Sequence, residues 1–496
     1  MSDATTRVYT GDSKVLRLFE DISSIPRASA NEKAISDYVA SFARQRHCEV
    51  IQDERHNLII RKRASAGYES APVVIFQGHL DMVCEKNKGT AHDFSKAPIR
   101  FNIQGDMIYA DGTTLGADNG IAVATAMALI DSPELLHPEL EIVLTTEEET
   151  SMGGAFGLDV SPLKGRMMIN FDSDREGILF VSSAGGINLY HTVQTSWRER
   201  RSADGTPYTL SVHGLMGGHS GDDIIHERGN ANKLLGRILD DLRRHTDLEL
   251  SGVSGGMKAN AIPREAEAAI YLSPRDRRTA DERLAVLNAM LRDEFQASDA
   301  GVTVTLQEGW DAEGPAAASG GMVLSGEAQT VVIRLLALIP NGVLSMDKAI
   351  PNLVRTSSNL GVVTTSEHEI VLQSLTRSSL RSQTDDVVRA METLAEALGC
   401  GFRQDGYFPG WPYRADSKLR PLFESTYEQS FGRPLEIKAI HAGLECGVLI
   451  EKLPELDAVS CGPNLYEIHT PQEHLSISSV ERTWLYLQEV LRHIKD

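Results

Sequence analysis

The sequence is short of cysteine: it has five among 496 residues, widely spaced and with no C-x-x-C pair. Small disulfide-stapled folds and structural zinc sites both need cysteines at closer, repeated spacings. Their absence excludes these two classes of protein, so an apolar core must stabilise the fold. We expect the cysteines to be reduced thiols.

Long apolar runs and an excess of positive charge are also missing. The run from Ile121 to Ile130 is too short to cross a bilayer, and the first residues lack the basic start and apolar stretch of a secretory signal. Lys and Arg number 49 against 69 Asp and Glu, a formal net charge of −20. Nucleic-acid binding needs clustered basic residues, so the acidic balance predicts no nucleic-acid partner. The missing signal and the lack of a membrane-length apolar run predict a cytoplasmic protein with no membrane partner.

The order of predicted strands and helices indicates an α/β fold with an inserted domain. Short apolar runs alternate with helical patterns over residues 1–186 and again over 409–496, which predicts a sheet covered by helices on both faces. Residues 187–408 form the predicted insertion: the elements over residues 208–309 follow the β-α-β-β-α-β order of a ferredoxin-like unit, and a further helix, two strands and a long helix to Leu398 extend it. The stretch 405–417, rich in Pro, Gly and aromatic residues, is predicted to return the chain to the first domain. Asn31 is a candidate cap for the second helix.

Histidine and acidic residues follow the predicted strands of the first domain. Carboxyl ends of strands are where open α/β sheets place binding sites, so these side chains are expected to meet at one sheet edge. Two imidazoles and several carboxylates at one edge need positive charge, which a pair of divalent metals would supply, zinc first and cobalt or manganese as substitutes. The residues concerned are His79 and Asp81, Asp118 in a Gly-rich loop, Glu147–Glu149, Asp172 and His469.

Each of these residues also has a structural interpretation. Asp118 could be a helix N-cap, Glu147–Glu149 a solvated loop, and His79 a hydrogen-bonded core histidine. Asp172 could belong to a polar turn after a strand. Their joint position after successive strands favours the metal site.

Seven short motifs occur along the chain in a specific order and spacing: Gly78–Met82, Leu115–Gly120, Glu148–Glu149 with Met152–Ala155, Asn170–Ser173, Gly217–Gly221, His441–Glu445 and His469–Pro471. By these motifs the sequence resembles the M20 metallopeptidases over nearly its whole length, specifically the aminoacyl-histidine dipeptidase branch that includes carnosine-cleaving enzymes. The resemblance implies a discontinuous di-zinc catalytic domain, an inserted lid and dimerisation domain, and a homodimer.

The resemblance also implies a role for each residue of the proposed centre. Asp118 would bridge two zinc ions, with His79 and Asp172 on one ion and Glu149 and His469 on the other. Asp81 would orient the imidazole of His79. Glu148 would be the general base in the hydrolysis of dipeptides, including Xaa-His and β-alanyl-histidine. Three consecutive glutamates leave open whether Glu147 and Glu148, or Glu148 and Glu149, are the base and the ligand.

Five further residues are candidate substrate-binding residues: His219 as a donor to the oxyanion, Asn260, Arg377 as a partner of the terminal carboxylate, His441, and Glu445 as a partner of the free amino group. Structural interpretations stand beside them. His219 could belong to a glycine-rich turn, Asn260 to a turn before Pro263, and Arg377 to the surface.

Three other functions compete with a dipeptidase. An aminoacylase or small carboxypeptidase of the same superfamily is the nearest, and a non-catalytic metal- or peptide-binding relative is the second. The complete ligand set and base argue against the second. A di-metal phosphoesterase would need basic residues that grip phosphate beside the metals, and the motifs contain none.

Overall fold

The computed structural model describes residues 7–201, 205–310 and 314–495. The chain divides into two units. The first consists of Met1–Ser182, Trp411–Ala439 and Glu445–Asp496, and the second of Ser183–Gly410 and Ile440–Leu444. The chain thus changes units after residues 182 and 410, where the sequence placed boundaries after 186 and 408. The return of residues 440–444 to the second unit was not expected.

Short polar side chains begin several of the helices. Ser13, Asn230, Ser273, Ser325 and Ser476 each accept a hydrogen bond from the backbone N–H three residues further on. The helices in the described residues are α1 (Lys14–Ser23), α2 (Lys33–Gln45), α3 (Ala117–Ile130), α4 (Glu148–Ser151), α5 (Gly153–Gly157), α6 (Ala231–His245), α7 (Pro274–Glu294), α8 (Gly326–Leu338), α9 (Arg381–Leu398), α10 (Leu419–Phe431), α11 (Glu445–Lys452) and α12 (Ile477–His493).

Two expectations about helices have clear outcomes. Asn31 does not cap α2, because Glu32 occupies the cap position and no side chain caps that helix. The Glu32 carboxylate instead accepts from the backbone N–H groups of Ala30 and Glu147. Among the described helices none could serve as a membrane span.

The strands form two large sheets and several small ones. They are β1 (Glu49–Gln52), β2 (Leu58–Lys62), β3 (Val74–His79), β4 (Phe101–Gln104), β5 (Met107–Ala110), β6 (Leu140–Thr145), β7 (Met167–Asn170), β8 (Ile178–Ser183), β9 (Gly185–Gln194), β10 (Trp197–Arg198), β11 (Thr206–His213), β12 (Gly218–His219), β13 (Glu249–Gly255), β14 (Ala261–Ile262), β15 (Ala266–Leu272), β16 (Thr303–Glu308), β17 (Val323–Leu324), β18 (Gly342–Met346), β19 (Val354–Thr365), β20 (Glu369–Ser378), β21 (Gly401–Phe408), β22 (Glu436–Ile440), β23 (Asp457–Ser460), β24 (Leu465–Tyr466) and β25 (His474–Ser476).

The first unit is built on an eight-stranded sheet in the order β1-β2-β6-β3-β7-β23-β8-β22. Its four central strands β6, β3, β7 and β23 are parallel, so their carboxyl ends share one edge. Strand β3 is buried along its whole length, and the apolar, alanine-rich helix α3 packs against it. The α/β class predicted from the sequence is confirmed.

A four-stranded sheet in the order β24-β25-β5-β4 completes the first unit. Strands β24 and β25 pair in antiparallel fashion, with Leu465 opposite Leu475 and Tyr466 opposite His474. The loop between them, residues 467–473, therefore reverses the direction of the chain. This loop carries His469, whose φ is 64°.

The second unit contains a nine-stranded sheet, with β16-β11-β15-β13-β19-β20-β9-β21 in order and β18 paired with β19. Its part β11-α6-β13-β15-α7-β16 has the predicted ferredoxin-like connectivity, and the buried side chains of α6, α7 and α8 pack together as its core. Strands β9 and β21 were missed. The predicted return stretch begins within β21, which continues to Phe408.

Candidate metal centre and substrate-binding residues

The ends of the parallel strands bring the predicted metal ligands together. His79 is the last residue of β3 and lies opposite Thr145, the last residue of β6. Glu148 and Glu149 begin the short helix that follows β6. Asp172 lies two residues beyond the end of β7. The strand order therefore places three predicted ligands at one edge of the sheet: His79, Glu149 and Asp172.

Asp118 lies between two imidazoles. Its Oδ1 is 3.2 Å from Nε2 of His79, and its Oδ2 is 3.2 Å from Nε2 of His469. Asp172 Oδ1 lies 3.6 Å from the same His79 nitrogen, and Glu149 Oε2 lies 3.1 Å from the His469 nitrogen. These five residues, called the metal-ligand cluster below, make two three-residue sets that share Asp118, and within each set the donor atoms lie within 4.8 Å of one another.

The chemistry of the metal-ligand cluster fits a pair of divalent cations. Burial raises the pKa of Asp172 to about 6, while hydrogen bonds with Asp118 and Glu149 raise the pKa of His469 to about 10. Glu149 Oε1 is buried and has no hydrogen-bond partner. A buried carboxyl group with a raised pKa and a buried carboxylate oxygen without a donor both indicate missing positive charge. The described residues can therefore hold metal ions.

Asp81 contacts both the His79 ring and the backbone of Glu148 and Glu149. Its Oδ1 is 3.2 Å from Nδ1 of His79, and its two oxygens accept from the backbone N–H groups of Glu148 at 3.1 Å and Glu149 at 3.2 Å. Ser29 donates a further hydrogen bond at 2.7 Å. Burial opposes the charge on Asp81, but the contacts with His79 and Ser29 lower its pKa overall. A charged Asp81 fixes the His79 ring with Nε2 towards Asp118.

Glu148 borders the metal-ligand cluster, with Oε2 3.9 Å from Nε2 of His79. Burial raises its pKa well above the ordinary value. Glu148 and Glu149 both belong to a ligand group with His79, whereas Glu147 belongs to none among the described residues. An added Cβ at Gly153 would lie 2.4 Å from the Glu147 carboxylate, so that side chain lies against the next turn.

Residues that sequence reasoning missed hold the ligands in place. Asn119 accepts from the backbone N–H of His79 at 3.1 Å and donates to the carbonyl of Phe171 at 2.9 Å; its peptide bond with Asp118 is cis. Glu473 and Arg27 contact the backbone of the Asp118 loop. The only signal in the sequence was that Asn119 lies inside a motif and Glu473 lies four residues after His469.

Three of the predicted substrate-binding residues lie close together in the second unit. Asp222 donates its backbone N–H to Nδ1 of His219 at 3.3 Å, and its carboxylate acts electrostatically on Arg377 and His441. Ser357 lies opposite Arg377 in the pairing of β19 with β20, and its Oγ is 2.7 Å from Nε2 of His441. We call these five residues the Arg377 cluster.

The charges of the Arg377 cluster are unusual for buried groups. Burial lowers the pKa of Arg377 to about 10, and its Nε has no hydrogen-bond partner. Burial, reinforced by the charge of Arg377, lowers the pKa of His441 to about 3. A Cβ at Gly221 would lie 2.3 Å from the His441 carbonyl oxygen, which explains the glycine after His219 and Ser220.

The other two candidates lie elsewhere. Asn260 is exposed, and its carbonyl accepts from the backbone N–H of Ser220 at 2.9 Å. Glu445 is fully buried in the first unit, where its Oε2 accepts from Gln77 at 2.5 Å and Thr145 at 2.6 Å. Burial raises the pKa of Glu445 to about 8. Contact of Glu445 with a substrate's amino group stays a prediction.

Comparison with known proteins shows what this chain is similar to. Residues 210–299 match the family described as a peptidase dimerisation domain of M20 type. The chain is 37% identical over 477 residues to the cytosol non-specific dipeptidase of Escherichia coli (strain K12), covering 96% of each chain.

Solved structures agree with that similarity. Aminoacylhistidine dipeptidase from Vibrio alginolyticus has a TM-score of 0.93 and 36% sequence identity, covering 100% of this chain and 99% of that one. A tripeptidase from Staphylococcus aureus, with a TM-score of 0.54 and 13% identity over 97% and 98% of the two chains, shares the fold alone. The chain therefore belongs to the M20 family of metallopeptidases, in its aminoacyl-histidine dipeptidase branch.

Proposed function

We propose that this chain is a dipeptidase that uses two zinc ions per subunit, with cobalt or manganese as substitutes. The observation that carries the proposal is the position of Asp118, whose two oxygens face two different imidazoles. His79 and Asp172 would hold one ion, Glu149 and His469 the other, and Asp118 both. Bound there, the ions would supply Lewis-acid activation of water and of the peptide carbonyl.

The chain's own residues move the protons. Glu148 takes a proton from the attacking water and delivers it to the amine nitrogen that leaves. Its position beside the metal-ligand cluster favours this role, because a general base must lie within reach of the water whose proton it takes. Asp81 acts through His79 and through the backbone of Glu148, so we assign it a positioning role.

Residues of the second unit would recognise the substrate. Arg377 binds the terminal carboxylate, since a buried guanidinium with an unpartnered Nε is suited to a bidentate anion. His219 donates to the developing oxyanion, a contribution of roughly 3 kcal/mol for a single donor. His441 and Asn260 complete the proposed contacts. For Glu445, burial between Gln77 and Thr145 favours support of strands β3 and β6.

The names of the relatives support a proposal for the substrates, the oligomeric state and the location of this chain. Because the similar proteins are named cytosol non-specific dipeptidase and aminoacylhistidine dipeptidase, we propose dipeptides as substrates, with Xaa-His and β-alanyl-histidine among them. We also propose a homodimer, from the match to a dimerisation domain, and a cytoplasmic location, from the name of the E. coli relative.

A substrate panel tests this proposal. Purified protein is given β-alanyl-histidine, other Xaa-His dipeptides, dipeptides without histidine, a tripeptide and N-acetyl amino acids, and the products are identified by chromatography. The proposal predicts hydrolysis of dipeptides with little release of acetate. Preference for N-acetyl amino acids would favour an aminoacylase, and C-terminal trimming of longer peptides a carboxypeptidase. Two bound metals without any turnover would indicate a non-catalytic relative.

A further inference from the structure

The loop that presents Asp118 is held by a buried carboxylate. Glu473 Oε2 accepts from the backbone N–H groups of Leu115 at 2.8 Å and Gly116 at 2.9 Å. Its Oε1 accepts from Ala117 at 2.7 Å and Asp118 at 3.2 Å. Four successive N–H groups thus converge on one side chain that is 2% exposed. The loop enters α3 with its backbone donors fully occupied.

A buried guanidinium holds the same loop through its carbonyl groups. Arg27 donates to the carbonyl of Gly116, and also to those of Leu80 at 3.3 Å and Asp81 at 3.2 Å. Gly116 has a φ of 70°, and a Cβ there would lie 2.6 Å from Arg27 Nη2. Arg27 therefore joins the loop after β3, which carries Asp81, to the loop that carries Asp118.

The two charges also balance one another. A buried carboxylate or guanidinium is costly unless hydrogen bonds and an opposite charge compensate it. Glu473 and Arg27 attract each other electrostatically; Glu473 accepts from the N–H groups of residues 115–118, and Arg27 donates to the carbonyl of Gly116 in the same segment. Glu473 is also four residues after His469, in the loop between β24 and β25. One carboxylate therefore contacts the Asp118 loop while belonging to the His469 loop.

We propose that Glu473 and Arg27 are positioning residues of the metal centre. Together they fix the backbone of residues 115–118 so that the two oxygens of Asp118 face His79 and His469 separately. This inference rests on the proposed function, because it assumes that Asp118 holds metal. The competing interpretation is a loop contact that adds stability and leaves metal binding unaffected.

Substituting Glu473 separates these interpretations. Glu473→Gln keeps the shape but turns an amide donor towards backbone donors, so at least one pair of N–H groups loses its acceptor. We expect its affinity for zinc to fall by about 10- to 100-fold, as for other groups that orient metal ligands. The affinity is measured by chelator competition on metal-free protein, without substrate. The visible spectrum of the cobalt-substituted protein should change, and kcat should fall with KM nearly unchanged. Glu473→Asp, which keeps the carboxylate, should recover part of the zinc affinity, of the cobalt spectrum and of kcat.

Glu141 offers a matched control in the same unit. Its carboxylate is fully buried and accepts from the backbone N–H groups of Lys164 at 2.9 Å and Gly165 at 2.9 Å. Glu141→Gln should lower Tm while leaving zinc affinity and the cobalt spectrum unchanged. Equal loss of Tm in both variants, with zinc affinity within about twofold of the parent and an unaltered cobalt spectrum in Glu473→Gln, would overturn the proposal.

A second variant tests the proposal independently if Glu473→Gln does not fold. Arg27→Lys keeps the charge but cannot reach carbonyls on both loops with one ammonium group, and it should weaken zinc binding in the same assay. Unchanged zinc affinity in Arg27→Lys would then count against the proposal. Parent protein that binds two metals but hydrolyses no dipeptide would refute the proposed function only, since affinity and spectrum need no substrate.

Discussion

The metal-ligand cluster of the first unit and the Arg377 cluster of the second each contain two histidines, and both combine buried with exposed side chains. They differ in the charge around them. In the first, carboxylates outnumber imidazoles, and burial pushes the pKa of Glu148 and Asp172 upwards. In the second, burial pushes the pKa of Arg377 and His441 downwards.

This difference indicates what each cluster would bind. A group of buried acids is stabilised by a cation, whereas a buried guanidinium beside a neutral imidazole is stabilised by an anion. The hydrogen bonds around the two clusters differ as well. Asp81 and Glu473 hold the ligands of the first cluster through backbone N–H groups, whereas Arg377 Nε has no partner of its own. We therefore propose metal ions for the first cluster and the substrate's carboxylate for the second.

The largest expected effect comes from changing Glu148, the proposed proton-transfer residue beside the first cluster. Glu148→Gln should lower kcat by about 10³-fold with metal content unchanged, because the amide cannot accept a proton. Metal analysis and steady-state kinetics on β-alanyl-histidine check this. Glu147→Gln is the matched control and should keep most of the activity. If Glu147→Gln is the inactive variant, the base and ligand are Glu147 and Glu148.

A support of the same cluster should have the next largest effect. Asp81→Asn removes the charge that orients His79, and we expect metal affinity to fall by about 10- to 100-fold. Chelator competition measures it. Asp159→Asn, which changes a carboxylate bonded to Ser161 in an exposed loop, is the control and should bind metal like the parent. Equal metal affinity in both variants would show that Asp81 does not support the cluster.

The anion proposed for the second cluster predicts a smaller effect on substrate binding. Arg377→Lys should raise KM for dipeptides by roughly tenfold, since an ammonium group cannot bind a carboxylate in two places. Dipeptide amides, which lack that carboxylate, should be affected much less. Arg381→Lys, at an exposed ion pair with Asp385, serves as control. An equal rise in KM for free dipeptides and their amides would contradict the assignment.

The smallest effect concerns the neutral histidine of the second cluster. The pKa of His441 is about 3 in the fold against about 6.5 in an unfolded chain, because of burial and the nearby charge of Arg377. Between these values the unfolded chain binds the extra proton, so stability falls as pH drops below about 6.5. His441→Asn should reduce the loss of unfolding free energy between about pH 7.5 and pH 5 by roughly 1 to 2 kcal/mol. Urea unfolding measures it; an identical loss in parent and variant would contradict the low pKa.

The metal ligands and the residues that support them were not equally predictable from the sequence. His79 and Asp172 could be found because one ends a strand and the other lies two residues beyond a strand, and parallel strands end at one edge whatever their spacing along the chain. Glu473 and Arg27 could not, since they act on backbone groups of a loop that is remote in sequence. Burial of Glu445 depended on the packing of α11 against strands β3 and β6, which no local pattern reveals. Strand β21 is mostly exposed and lacks a clear apolar alternation, whereas strand β9 was missed although Ile187, Leu189 and Val193 alternate along it.

The most direct test of the account is a metal titration of the protein after complete chelation. Zinc is added back in known amounts, and hydrolysis of β-alanyl-histidine is followed together with bound metal. A site organised on a shared Asp118 predicts no activity without metal and full activity at two zinc ions per chain. Full activity of the metal-free protein, or saturation at a single ion, would contradict it.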